Sequence, residues 1–175
     1  MLDKNVLLST SLSDKISDIG NLFFNYNRIL DAGMDYLDID YNMTQMSKYI
    51  HENIAHKAPI DADVYRDFNA RNSRRTNYGV DILGNDANYE SPLEFFAFAL
   101  AYSAKIMNEI YSAIDMAMDE RNHEVSQFLK SQIPVVSEYK SQFILLYEKC
   151  EANIKEGNTW QDIDHRWEDF ALMGG

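Results

Sequence analysis

The sequence contains few residues that would interrupt a helix or cross-link the chain. Only 3 prolines and 7 glycines occur among 175 residues, which leaves room for long uninterrupted helices. Cys150 is the single cysteine, so no intramolecular disulfide can form and a reducing compartment is expected. No apolar run approaches the roughly 20 residues of a membrane span. Between Met1 and Ser9, where Lys4 is the only basic residue, the apolar run is too short for a signal peptide. These absences predict a soluble, cytoplasmic protein without a membrane partner.

Basic residues are also scarce, because 16 Lys and Arg stand against 28 Asp and Glu, for a net charge of −12. Binding to a nucleic-acid backbone requires clustered Lys and Arg, so we expect no nucleic-acid partner. An acidic surplus attracts cations, including metal ions, but it is also the ordinary route to solubility, which is the interpretation we favour. The densest acidic run, Asp31, Asp35, Asp38 and Asp40, has the same two interpretations.

Bulky apolar side chains are abundant, with 46% hydrophobic and 13% aromatic residues, enough for one substantial core. Five segments place apolar residues three and four positions apart, which is the spacing of an amphipathic helix. We therefore predict a single domain over residues 1–175. Its parts are a bundle at about 13–156, a connection inside the bundle at about 72–90 and a terminal helix at about 158–172.

The first two helices have weak boundary signals. The first is predicted from about Ser13 to Leu37, with Ser11 or Ser13 as its amino-terminal cap. The second begins near Asn42. Pro59 either kinks that helix or lies in the first turn of a second short one.

The later helices have clearer boundaries. The run Ser91-Pro92-Leu93-Glu94 is a capping box with proline at the first helical position, so it predicts the start of the third helix. The fourth helix ends at Gly157 and contains Pro134, which predicts a kink or a local break. Asn158 is the expected cap of a short fifth helix that carries Trp160, Ile163, Trp167 and Phe170.

The connection at 72–90 is long for a compact domain. A short loop suffices for antiparallel neighbours, whereas a long one can carry the chain from one end of a bundle to the other. Such a crossover leaves the two helices that it joins parallel.

Four segments carry a family resemblance by their order and spacing, namely MSKYI at 46–50, FNARN at 68–72, YESPLEFF at 89–96 and the stretch at 110–130. Together they resemble ferritins. FNARN at 68–72 resembles the end of the family's second helix, and YESPLEFF at 89–96 resembles the start of its third. The stretch at 110–130 resembles its turn from the third to the fourth helix, and MSKYI at 46–50 a motif in its second. The resemblance implies an all-α, ferritin-like four-helix bundle with one long crossover between helices two and three, plus a short C-terminal fifth helix. It also implies iron as a cofactor or cargo, and a homo-oligomer for which a cage is one form.

The resemblance further implies a di-iron site, for which the family pattern is a glutamate on the first helix, Glu-x-x-His on the second, and glutamates on the third and fourth. The corresponding positions are Asn21, Lys57 with Ile60, Ser103, and Glu138 with Tyr139 beside it. Only Glu138 has the required chemistry, and an ammonium at Lys57 would oppose metal binding. Glu52 and His56 are a substitute pair, four residues apart on one helical face, with His51 beside them. The alternative for this pair is a solvated face with a charge-neutralised histidine.

The metal candidates from sequence are thus Glu138, Glu52 and His56. Our first hypothesis is an oligomeric protein of iron storage or handling with a degenerate or relocated di-iron site, and a ferroxidase if the family activity is kept. The alternative is a non-catalytic shell, scaffold or partner subunit of the same fold. A second alternative is a helical interaction module unrelated to iron, which an antiparallel up-down bundle would favour.

Overall fold

The computed structural model describes residues 8–78 and 88–167. The regular structure in these residues is entirely helical. The elements are α1 (Thr10–Tyr41), α2 (Thr44–Ile50), a π turn (His51–Ala55), α3 (Lys57–Arg71), α4 (Pro92–Asp119), α5 (His123–Lys155) and α6 (Trp160–His165). Because α2, the π turn and α3 follow one another directly, they form the second helix of a four-helix bundle. The prediction of an all-α bundle with a short terminal helix is confirmed.

The first helix begins before the predicted Ser13 and ends after the predicted Leu37. Ser9 has extended backbone and accepts the Leu12 N–H at 3.2 Å, so it is the cap, rather than Ser11 or Ser13. The helix ends at Asn42, whose backbone is left-handed with φ 52°.

The second bundle helix is irregular before Pro59 rather than at it. The His56 N–H donates to the carbonyl oxygen of His51, five residues back, at 3.2 Å, which is the hydrogen bond of a π turn. Pro59 then lies in the first turn of α3, where a missing N–H is tolerated, as in the second of the two predicted alternatives.

The two ends of the crossover lie at opposite ends of the bundle. At the end of α3, the Arg74 guanidinium donates to the carbonyl of Leu8, beside the start of α1. At the start of α4, the carbonyl of Glu90 accepts from the Tyr41 hydroxyl, at the far end of α1. The end of α4 returns to the start of α1, where the Ser9 hydroxyl donates to Glu120 at 2.9 Å. Helices α3 and α4 are therefore both antiparallel to α1 and parallel to each other, which is not an up-down bundle.

The predicted start of α4 is confirmed in its position and differs in one hydrogen bond. Ser91 accepts the Glu94 N–H, as a cap does. The Glu94 carboxylate, however, accepts from the N–H of Glu90 instead of Ser91. Gly79 and Gly84, which belong to the predicted connection, lie outside the described residues.

The last two helices differ from prediction at a proline and at a cap. Helix α5 continues through Pro134, so the predicted local break does not occur. It is followed by Gly157 at φ 88°, a conformation that favours glycine. The cap of α6 is Thr159 rather than Asn158, because Thr159 and Asp162 form a reciprocal capping box. Trp167 is buried against the bundle, and Phe170 lies outside the described residues.

The core is formed by the inward stripes of all four bundle helices, with Cys150 among its fully buried residues. None of the helices in the described parts of the chain combines the length and the apolar composition that a membrane span requires.

Candidate functional site

The positions that the resemblance assigns to the second and fourth helices converge on one cavity between the second bundle helix and α5. Its volume is about 200 Å³. It is lined by Asn53, Ile54, Lys57, Ile60, Asp61, Val135, Glu138, Tyr139 and Gln142. The other two positions do not line it. Asn21 donates to the carbonyl of Asn77 at 2.8 Å, and the buried Ser103 donates to the carbonyl of Leu100 at 2.7 Å.

Lys57 forms an ion pair with Glu138, the only glutamate at the positions expected to hold metal ligands. The Lys57 ammonium lies 2.7 Å from the Glu138 carboxylate, and both side chains are about half exposed, at 50% and 56%. An exposed pair of this kind contributes at most about 1 kcal/mol to stability. The ammonium of Lys57 nevertheless opposes metal binding at Glu138, because a metal ion there would have to displace it or bind against its repulsion.

Deeper in the cavity, a carboxylate is held by a tyrosine. The Tyr139 hydroxyl of α5 donates to Asp61 of α3 at 2.6 Å. Burial raises the pKa of Asp61, while the hydrogen bond from Tyr139 and the charge of Lys57 lower it and Glu138 raises it. Burial also raises the pKa of Tyr139, so this hydroxyl stays protonated and remains the donor.

Behind Asp61, the interior of the bundle includes four buried tyrosines, one from each bundle helix. They are Tyr26 of α1, Tyr65 of α3, Tyr102 of α4 and Tyr139 of α5, and all four are buried. The rings of Tyr26 and Tyr102 are stacked with centroids 5.6 Å apart, and Tyr139 meets Tyr26 edge-on at 5.4 Å. Phe23 joins Tyr65 to the layer, with centroid distances of 5.6 Å to Tyr65 and 6.0 Å to Tyr139. We call the four tyrosines, without Phe23, the tyrosine layer.

The hydroxyls of the tyrosine layer are only partly satisfied. Tyr26 donates to the carbonyl of Ala99 at 3.1 Å. The buried Tyr65 hydroxyl has no hydrogen-bond partner within the described residues. Burial raises the pKa of Tyr65, and the negative charge of Asp61 raises it further. Burial likewise raises the pKa of Tyr26. The hydroxyls of Tyr26 and Tyr65 are therefore neutral at physiological pH and offer no negative charge to a cation.

These residues do not fit a di-iron cage. Iron in such bundles is held by converging carboxylates and imidazoles. Here the converging groups are phenols, a single interior carboxylate at Asp61 that already accepts a hydrogen bond, an ammonium at Lys57 and the apolar Ile60. Part of the layer has a signal in the sequence, because Tyr26, Tyr65 and Tyr139 lie on predicted apolar stripes, whereas Tyr102 lies beside the stripe predicted for its helix. Periodicity alone predicted those stripes as ordinary core.

The π turn changes which side chains lie beside each other around the second pair of candidates, Glu52 and His56. We placed Glu52 and His56 on one face on the assumption of an α-helix. In the structure, the partner of His56 is His51, with ring centroids 4.0 Å apart. All three side chains are exposed. Sequence periodicity could not reveal this, because the π turn adds a residue to the helical repeat.

No three or more His, Cys, Asp and Glu side chains form a group that could hold a metal ion in the parts of the chain that the structure describes. The candidates Glu138, Glu52 and His56 therefore do not form such a group. Glu138 lines the cavity, whereas Glu52 and His56 are not among its lining residues. Their assignment as metal ligands stays a prediction.

Comparison with solved structures relates the fold to ferritins. The chain is similar to an open-pore ferritin from the archaeon Archaeoglobus fulgidus, with TM-score 0.78 and 16% identity over 85% of this chain and 88% of that one. It is also similar to an engineered closed form of the A. fulgidus ferritin, with TM-score 0.81 and 15% identity over 91% and 95% of the two chains. A humanized archaeal ferritin matches with TM-score 0.81 and 18% identity over 91% and 94%.

The chain has a ferritin-like fold. No protein-family model matches it, and no curated protein sequence does. At 15–18% identity, the likeness to these ferritins concerns the fold alone. The ferritin-like fold and the parallel α3 and α4 are not the antiparallel up-down bundle that would have favoured our second alternative. They leave open what the ferritin-like bundle does, because function depends on the residues of a site rather than on the fold.

Proposed function

We propose that this chain is a non-catalytic, self-assembling subunit of ferritin-like fold, and that its bundle interior does not oxidise iron. The observation that supports this most is the tyrosine layer, which fills the interior with neutral phenols where iron chemistry needs anionic oxygen donors. The ammonium of Lys57 acts in the same direction, because it already neutralises Glu138. The whole chain would act as one cytoplasmic domain.

Self-assembly has separate support. Tyr111 and Met118 lie two turns apart on one face of α4 and are 48% and 57% exposed. Large apolar side chains repeated along one helix face are suited to burial against another subunit. The archaeal ferritins that share the fold, described as open-pore and closed forms, are the natural precedent for a homo-oligomer.

A second candidate function is iron handling at a relocated site. It is favoured by one observation, namely that Asp61 and Glu138 line the same cavity, where the charge of Glu138 raises the pKa of Asp61. Two carboxylates facing one space are hard oxygen donors that suit iron, and the charge of Lys57 is what opposes their use.

The test is an aerobic Fe(II) titration of the purified chain, in which the absorbance of the ferric product and the mass of the assembly are followed together. We expect a defined oligomer and oxidation no faster than in protein-free buffer. Oxidation well above that blank would overturn the non-catalytic proposal in favour of the relocated site. A monomer at micromolar concentration would overturn the self-assembly proposal.

A gain-of-function variant sharpens this experiment. Lys57→Glu combined with Ile60→His restores the Glu-x-x-His pattern on a helix whose cavity already contains Asp61 and Glu138. If charge and ligand type are what suppress iron chemistry, this double variant should bind Fe(II) where the natural chain does not. Lys105→Glu with Asn108→His places the same Glu-x-x-His pattern on the exposed face of α4, outside the cavity; it is the matched control and should gain nothing.

A further inference from the structure

The π turn brings together two imidazoles that an α-helix would separate. In an α-helix, residues five apart point about 140° away from each other around the axis. Here the hydrogen bond from the His56 N–H to the His51 carbonyl widens the turn, and the two rings meet edge-on with centroids 4.0 Å apart. π turns of this kind are frequent at functional sites.

The pair is accessible and lies in an acidic environment. Both histidines are exposed. His51 lines a groove between α1 and α2 together with Asp31, Asp35 and Asp38. Asp31, Asp35 and Asp38 thus place negative charge in the groove that His51 lines, and this charge favours a cation bound at that imidazole.

We propose that His51 and His56 form a two-imidazole chelate for a borderline divalent metal ion such as Zn²⁺, Ni²⁺ or Cu²⁺. Imidazole nitrogen is a preferred ligand of these ions. In the edge-on contact the two rings are closer than two imidazoles bound to one ion, so binding requires the exposed side chains to rotate until one nitrogen of each ring faces the metal. Water completes the coordination, because the described residues around the pair supply no further group of ligands. This site lies on the surface beside α1 and is separate from the interior between α3 and α5.

The proposal differs from the sequence prediction in one testable respect. An α-helical repeat pairs His56 with Glu52, four residues away, whereas the π turn pairs it with His51. The two alternatives therefore assign the second ligand to different side chains. Both side chains are exposed, so either can be replaced without disturbing the core.

The experiment is a Zn²⁺ titration of the untagged, chelator-washed full chain at pH 7.5. Calorimetry gives the affinity, and long-range ¹H–¹⁵N spectra of the imidazoles identify which histidines bind. We expect one Zn²⁺ per chain, with the resonances of His51 and His56 moving together. His51→Gln and His56→Gln should each weaken binding by about tenfold or more, since even outer partners of metal ligands are worth 10–100-fold.

Two controls decide the assignment. Glu52→Gln should leave the affinity within about twofold, and His123→Gln removes an exposed histidine away from the π turn without effect. The proposal is overturned if the natural chain binds no Zn²⁺ at 100 times the protein concentration, or if His51→Gln binds as well as the natural chain. It is equally overturned if Glu52→Gln loses as much affinity as His51→Gln, since that result would assign the site to the α-helical pair. Unchanged circular dichroism in each variant establishes that the fold is retained.

Discussion

The carboxylate of Asp164, in the terminal helix, caps the amino end of α2, where Met46 lies 118 residues earlier in the chain. Its Oδ1 accepts the Met46 N–H at 2.7 Å, and its Oδ2 accepts the Gln45 N–H at 3.2 Å. The local cap position of α2, Met43, makes no side-chain hydrogen bond. The terminal segment therefore satisfies backbone donors that the second bundle helix cannot satisfy by itself.

Replacing Asp164 by alanine should lower the free energy of unfolding by about 1–3 kcal/mol, because the buried Met46 N–H loses its acceptor. Urea denaturation followed by circular dichroism measures the change. Asp162→Ala is the control, since Asp162 is exposed and caps only α6. A loss at Asp164 no greater than the loss at Asp162 would contradict the role of Asp164 in capping α2.

Two helical glycines of α1 should respond differently to alanine. In a helix, alanine is favoured over glycine by about 1 kcal/mol. At Gly33, however, an added Cβ would lie 2.0 Å from Cε2 of the buried Phe95 ring, and overpacking of this kind costs about 1–3 kcal/mol. We expect Gly33→Ala to lower the thermal midpoint.

Gly20 is the matched control for Gly33. An added Cβ there would lie 3.3 Å from the Cβ of Tyr65, a contact that requires a shift of only a few tenths of an ångström. Gly20→Ala should therefore change the thermal midpoint less than Gly33→Ala does. Equal effects at the two positions would show that contact with Phe95 is not the cause.

The buried carboxyl of Asp61 should make stability depend on pH. Because its pKa is raised in the folded chain, the folded state binds this proton more tightly than the unfolded state does. The stability from this group is present at acid pH and is lost as the pH rises through the folded pKa. Asp61→Asn removes the loss and keeps an oxygen that can accept from Tyr139.

The measurement for Asp61 is urea unfolding of the natural chain and of Asp61→Asn between pH 4 and pH 7.5. The stability of the variant relative to the natural chain should increase with pH over this range. Asp115→Asn, on the exposed face of α4, is the control for a general charge effect. A constant difference between Asp61→Asn and the natural chain would contradict a raised pKa at this site.

Cys150 should be unreactive in the folded protein. The thiol is fully buried, and burial raises its pKa to about 12, so almost no thiolate is present at pH 8. We expect negligible reaction with a disulfide reagent over minutes in buffer and one reacted thiol per chain in urea, followed by absorbance. Fast reaction in buffer would mean that the packing around α5 opens readily.

The regions that were predicted well depend on local signals. Ser91 and Pro92 specify the start of α4 within one turn of the helix, and the long connection after α3 predicted a crossover. The errors at the other boundaries have local causes too. Ser9 and Thr159 cap α1 and α6 because their extended backbones direct each hydroxyl toward a backbone N–H in the first turn of the helix.

The helical class, the inward stripes and the plan of two helices, a crossover and two more helices could be predicted, because those features follow from composition and from the spacing of apolar residues. Which side chains meet depends instead on tertiary packing. His51 and His56 are paired because the His56 N–H bonds to a carbonyl five residues back. The Met46 N–H is capped by Asp164 from a distant segment. Lys57 of α3 forms its ion pair with Glu138 of α5. Such contacts depend on helix register and on packing between distant parts of the chain, which local periodicity does not encode.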